Sequence, residues 1–311
     1  MTLGTSGNGI TDNGNGTFDL GNCDVFSNSG QKCAGGTITT GISISVSAPG
    51  GGGNQGCSSN SANNLSGSQY KISSDPYDDG TLYALNTSPS PIPSYTSCNN
   101  NYKGANINSV LDFGTIVCGT ATLKKDICVG TANTVITIAN GSLDLAGHNL
   151  QTSNTSGLGG AATCPGNGSL TIIFTGPASS TANLYPVNSS NKATSVLDIA
   201  APTSGTLAGV ALYQDKRITD NTTNLDWSTN GASTNMVVGI QGIVYLPNAN
   251  VRVNGAVKQH PGGFACVELV ANSVTLNGGS SFFPNPSSQC TQAHVKSPGV
   301  PGTGSRLALV Q

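Results

Sequence analysis

Three segments of this chain carry one arrangement of apolar residues, and that arrangement limits the folds open to it. The first has Ile136, Ile138, Leu143, Leu145 and Gly147. The second has Val244, Leu246, Val251, Val253 and Gly255, and the third Val267, Leu269, Val274, Leu276 and Gly278. Each reads apolar-x-apolar, four residues, apolar-x-apolar, one residue, glycine. Alternation of period two puts each apolar doublet on one face of a strand. The four-residue gap carries Asn, Ala or Pro, which suits a bend between short strands. The closing glycine permits a tight turn with positive φ. The second and third copies start 23 residues apart, at Val244 and Val267. That is about one coil of a solenoid.

The expectation is an all-β fold, a right-handed parallel β-helix with long inserted loops. One coil cannot bury its inward face alone, but stacked coils form a continuous core of Ile, Val and Leu. Related apolar pieces, Leu170–Phe174, Val196–Ile199 and Val210–Tyr213, fill the space between copies. Asn-rich bends stacked in register are expected to form hydrogen-bonded ladders. The competing fold is an antiparallel β-sandwich, which also shows short alternating strands separated by turns. The identical internal spacing of three copies favours the solenoid.

Composition removes other classes. Charged residues are 8% of the 311 residues, against about 25% in an average soluble domain. Glu268 is the single Glu, and Arg217, Arg252 and Arg306 are the three Arg. A helical bundle requires helix formers that this chain lacks. Twelve Lys and Arg at a net charge of −2 argue against nucleic acid as a partner. No apolar run is long enough to span a membrane as a helix. Met1-Thr2-Leu3-Gly4 leads straight into polar sequence, so any export signal is expected to have been removed or to lie outside these residues. Two regions are expected: 1–105, N-terminal strands plus a Gly/Ser/Pro-rich excursion over about 47–105 that packs on or caps the solenoid, and 106–311, the solenoid body and a C-terminal cap.

Nine cysteines occur without a C-x-x-C pair, which disfavours structural zinc. Their loose spacings suit disulfides of an oxidising compartment, with buried free thiols as the alternative. The disulfide candidates are Cys23, Cys33, Cys57, Cys98, Cys118, Cys128, Cys266 and Cys290. Close spacings occur at Cys23/Cys33, Cys118/Cys128 and Cys266/Cys290, and Cys164 is expected to be the spare thiol.

Candidate sites are few. Asp75, Asp78 and Asp79 form the densest acidic cluster and offer oxygen ligands for Ca²⁺, but they lack the EF-hand order, so a solvated turn is the simpler reading. Tyr213, Gln214, Asp215 and Arg217 follow an apolar strand and are candidates for surface binding, with an ion pair at a strand end as the plain alternative. Asp144 and Asp198 are expected to point outward and are the nearest approach to a glycosidase pair. His148, His260 and His294 match no metal or nucleophile motif and read as loop residues. No motif requires a cofactor, and the expectation is a protein that is not an enzyme.

Several of these segments together resemble the TadG-like proteins of the tight-adherence (Flp/Tad) pilus system. The stretch Pro202–Arg217, ending Val-Ala-Leu-Tyr-Gln-Asp-Lys-Arg, is similar to a Gly-Ile-aliphatic-aromatic-Gln-Asp-Arg motif of that family, with Lys216 inserted. Gly242-Ile-Val-Tyr-Leu-Pro-Asn-Ala-Asn-Val251 resembles its Gly-Thr-Ile-Tyr-Phe-Pro-Asn-Ala. Cys266–Gly278 resembles its Cys-x-x-aliphatic-aliphatic-Ala-x-x-Val-x-aliphatic-x-Gly, and Cys290 and Arg306–Gln311 follow in the family's order. The likeness covers about residues 106–311 and is looser at Gly21–Val25. Members open on an apolar membrane or prepilin-like segment, which this sequence does not show. The resemblance implies no catalytic residue. It implies an exported, extracellular or cell-surface structural protein near a pilus tip, with other pilus subunits, minor pilins and surface glycans as partners and attachment as its role. The alternatives are a β-helix polysaccharide lyase or glycoside hydrolase, and a trimeric phage tail-fibre segment.

Overall fold

A computed structural model describes residues 101–152 and 236–254 without a break and most of 164–218 and 266–277. It also describes short strands within 2–68, Ile92, Tyr95–Cys98, and the strands Asn224–Trp227, Lys258–Gln259 and Ser281–Phe282. Every strand pairing among the described residues is parallel, and the described residues include no α-helix. The fold is all-β and parallel. The antiparallel sandwich is therefore not the fold.

From Ala105 onward the chain visits three sets of paired strands in rotation. One set stacks Ala105–Ile107, Ala121–Leu123, Leu143–Asp144 and Pro186–Val187. The next stacks Ile127–Cys128, Leu150–Gln151, Ser195–Ala200 and the start of Met236–Val253. The third stacks Val117–Cys118, Thr134–Ala139, Leu170–Thr175, Val210–Gln214, the rest of Met236–Val253, and Val267–Leu276. The 18-residue strand Met236–Val253 belongs to the last two sets and merges them into one 14-stranded sheet.

The repeat positions form the interior. All of their apolar residues are buried except Val267 and Leu269, which pack half-buried against the same core. Gly147 closes the first copy at φ +87°, the left-handed conformation its position predicts. The bend in that copy runs through Asn140, also at positive φ (53°). In the second and third copies the gap is a bulge instead. Val251 pairs with Val274, 23 residues on, but Val244 pairs with Leu269, 25 residues on. The two extra residues lie between Leu246 and Asn250, where the register shifts. Pro247 sits in that bulge, where a missing N–H leaves no ladder bond unmade.

The N-terminal strands extend the stack at its far end. Asn8–Asp12 pairs with Val267–Leu276 through Ile10↔Val274, Thr11↔Thr275 and Asp12↔Leu276. Gly30–Cys33 and Asn54–Gln55 follow in the same sheet. Thr17–Asp19 lies between Ser281–Phe282 and Thr37–Thr39, with Ser58–Ser59 beyond. Val25–Ser27, Ser43–Val46 and Asn64–Ser68 form a third set. Strands thus occupy 54–68, inside the stretch expected as an excursion from residue 47. The spatial order along the stack is 105–282, then 8–68.

The opposite end is closed by the 3₁₀ turn Val110–Phe113, which sends Phe113 into the core and leaves Leu111 88% exposed. The Asp112 carboxylate accepts from the backbone N–H of Asn108 at 2.7 Å and of Ser109 at 3.1 Å. The Asn108 amide, more than any other contact, holds that carboxyl below its ordinary range.

Candidate functional site

The segments that stand out in the sequence meet on adjacent strands. Val210–Gln214 pairs with Met236–Val253, and Tyr213 lies directly beside Tyr245. Their rings stack at 5.4 Å between centroids and 10° between planes. An aromatic pair of this kind contributes about 0.5–1.5 kcal/mol beyond its buried area. Ile173, Tyr213, Tyr245 and Val270 form one column over four successive strands. With Ile92, Leu207, Val210, Ile243 and Cys266 they make a second apolar cluster, separate from the interior.

Gln214 lies in register with Phe174 and is buried. A buried amide needs partners. Its Oε1 accepts from the Asn248 backbone N–H at 3.1 Å, and its Nε2 donates to the Leu184 carbonyl at 3.5 Å. Asp215 is buried as well and accepts from the Thr175 hydroxyl at 2.9 Å. The Asn248 side chain donates to the carbonyls of Lys216 (3.4 Å) and Ile218. The bulge of one strand thereby clamps the turn that ends its neighbour. This corrects the reading of Tyr213, Gln214 and Asp215 as surface-binding residues: all three are inside, held by the fold. Arg217, the fourth of that group, lies outside the described residues.

The carboxylate pair needs the same correction. Asp144 and Asp198 do not point outward; both are buried. Asp144 is taken up by the hydroxyl of Ser189 (2.6 Å) and by the backbone N–H groups of Ser189 (2.9 Å) and Ala146 (3.0 Å). Three charge-assisted bonds to one carboxylate make an anchor for two turns. His148 approaches Asp126 at 3.6 Å on the surface. Asp75, Asp78, Asp79, His260 and His294 lie outside the described residues. Among the described residues no group of three His, Cys, Asp or Glu is placed to hold a metal ion.

Two disulfides join described residues. Cys98 is bonded to Cys118 and Cys128 to Cys164, with Cα separations of 5.6 and 5.3 Å. Cys164 is therefore not the spare thiol, and the neighbours Cys118 and Cys128 belong to different bonds. Sequence proximity misleads here because a coil brings together residues that are far apart in the chain. Cys33 and Cys266 are also disulfide-bonded. Cys23, Cys57 and Cys290 lie outside the described residues. Among the described residues no helix is long and apolar enough to cross a membrane.

Two features carry no strong local signal. Asn254, Asn277 and Asn13 form an amide ladder across three coils: Asn277 donates to Asn254 at 2.6 Å and Asn13 to Asn277 at 3.1 Å. Asn272 donates to Asn250 at 2.7 Å in a shorter parallel pair. Ladders were expected of Asn-rich bends, but which Asn stack follows only from the register. The second feature is a corner at Gly104, Gly119 and Gly141. A Cβ on Gly141 would lie 2.2 Å from Gly119 C, and one on Gly119 would lie 2.5 Å from the Gly104 nitrogen.

The chemistry of this arrangement is structural: clamped turns, amide ladders and two apolar clusters that fix coil on coil. Much of the exposed first coil is uncharged, with Asn101, Asn106, Asn108, Ser109, Thr115 and Thr120 at its surface. Comparison with protein-family models, curated proteins and solved structures returns no match.

Proposed function

We propose that the chain is a right-handed parallel β-helix serving as a rigid, exported, non-catalytic component of a tight-adherence pilus, close to its tip and engaged in surface attachment. The observation that carries this reading is the meeting of the Tyr-Gln-Asp-Lys-Arg, Tyr-Leu-Pro-Asn-Ala and Cys-x-x-aliphatic segments on consecutive parallel strands. These are the segments that resemble the TadG-like family, and their shared residues work on one another. Tyr213 stacks on Tyr245, Gln214 binds Asn248, and the Gly242 N–H donates to the Cys266 carbonyl at 2.7 Å. Such motifs preserve a way of winding the chain, which is what a structural subunit requires. Disulfides at both ends of the 98–164 region suit an oxidising compartment. An uncharged Asn/Ser/Thr surface suits many weak hydrogen bonds to glycans or neighbouring subunits.

A tagged chain followed in its own cells tests the reading. It is expected in the fraction sheared from the cell surface, with its cysteines oxidised, and its deletion is expected to abolish attachment until the gene is restored. Retention in the cytosol with reduced thiols would contradict it. So would sustained cleavage of a polysaccharide by the purified protein, which favours the lyase or hydrolase alternative.

A further inference from the structure

The order of coils in space differs from their order in the chain, and that difference points to a second copy as a partner. The strands of 8–68 stack on Val267–Leu276 and Ser281–Phe282, the last coil of the 105–282 body. The chain then has to return to Ala105, in the first coil. Along the main sheet the strand order runs from Val117–Cys118 to Asn54–Gln55 in eight steps. At about 4.8 Å each that is roughly 38 Å. The 36 residues of 69–104 have an extended reach of more than roughly 100 Å. Cys98, near the end of this link, is bonded to the first coil through Cys118, and Ile92 is buried in the outer cluster with Tyr213 and Tyr245. The link is thus anchored to the body from Ile92 onward, and residues 69–91 remain to bridge the gap.

The seam between the two parts is an ordinary coil-to-coil contact. It consists of three parallel Cα pairs, the bonds Gly4 N–H to Asn272 O and Asn13 N–H to Leu276 O (both 2.9 Å), and the Asn13–Asn277 amide pair. No described covalent bond crosses it. A chain whose N-terminal strands have not docked presents Val267–Leu276 as an open edge, a template for a strand of either origin. Only the link distinguishes docking within a chain from docking between chains, and the link is long. Exchange of an identical element is a low-cost route to assembly.

We propose that residues 8–68 dock in trans on the Val267–Leu276 coil of a second copy, joining copies head to tail into linear chains. Each copy donates one set of N-terminal coils and accepts one, so the contact is heterologous and does not close by itself. The assembled chain keeps every strand pairing of the single copy and adds no new surface. This inference follows from the coil order and stands whether or not the pilus reading holds.

Asn13 and Asn277 report the seam, because they are directly opposed on neighbouring parallel strands at a spacing that suits a disulfide. Two full-length variants, Asn13→Cys and Asn277→Cys, are co-expressed in an oxidising compartment beside the unsubstituted chain, which controls for the odd ninth cysteine. The expected result is covalent dimers that require both variants. The double variant Asn13→Cys/Asn277→Cys is expected to give a crosslinked ladder beside internally closed monomer. Closed monomer alone from the double variant, with no mixed dimer from the pair, would overturn the proposal. Light scattering on the unsubstituted chain refolded at low and high concentration gives an independent reading. The multimer fraction is expected to rise with concentration, and monomer throughout would overturn trans docking.

Discussion

Asn248 does at the residue scale what a longer loop would otherwise have to do. Its backbone N–H satisfies the buried Gln214 amide, and its side chain satisfies two carbonyls of the 216–218 turn. Replacing it with Ala removes the side-chain donor and leaves those carbonyls short of a partner. The expected cost is about 1–3 kcal/mol, read as a lower denaturation midpoint. Asn248→Asp keeps the shape but replaces the donating amide with an acceptor, so it is expected to cost at least as much. A midpoint unchanged in both variants would mean that the bulge does not hold the turn. Asp144 works by the same logic with the opposite polarity, as an acceptor that three donors surround.

The corner glycines set how closely coils approach at the scale of elements. A methyl group at Gly141 meets the backbone of Gly119 and Thr120 at 2.2–2.5 Å, not the movable end of a side chain. Gly141→Ala is therefore expected to push the first two coils apart at a cost of about 1–3 kcal/mol or more. Amide hydrogen exchange would localise the damage, with faster exchange at Gly119 and Ala121, whose N–H groups bond to Ala139 and Ser142. Exchange unchanged there would contradict the close approach. How much of this was legible in the sequence follows from period and distance. Strand alternation and the closing glycine are local, and the buried set Ile136, Ile138, Leu143 and Leu145 matches the reading residue for residue. Register is not local. The two-residue bulge at Pro247 makes Val244 face Leu269 and not Val267. The same blindness hid the Cys128–Cys164 bond and the burial of Tyr213, Gln214, Asp144 and Asp198. Alternation identifies which residues share a face, but not whether another segment covers that face. Here Ile92 and Leu207 join the cluster on the outer side of the sheet.

The whole molecule is a stack in which each coil supplies the binding surface for the next. Its stability is therefore close to a sum of coil and interface contributions. The central claim is that strands from successive windings lie parallel and in the stated order, with residues 8–12 placed beyond 267–276. Proton–proton contacts across the strands in solution test this most directly. Parallel pairing predicts amide-to-α contacts linking Ile136 with Ile172, Leu212 with Val244, Val251 with Val274, and Ile10 with Val274. Strong α-to-α contacts between facing strands, the mark of antiparallel pairing, or an Ile10 strand paired to the 105–128 coil instead, would contradict the account.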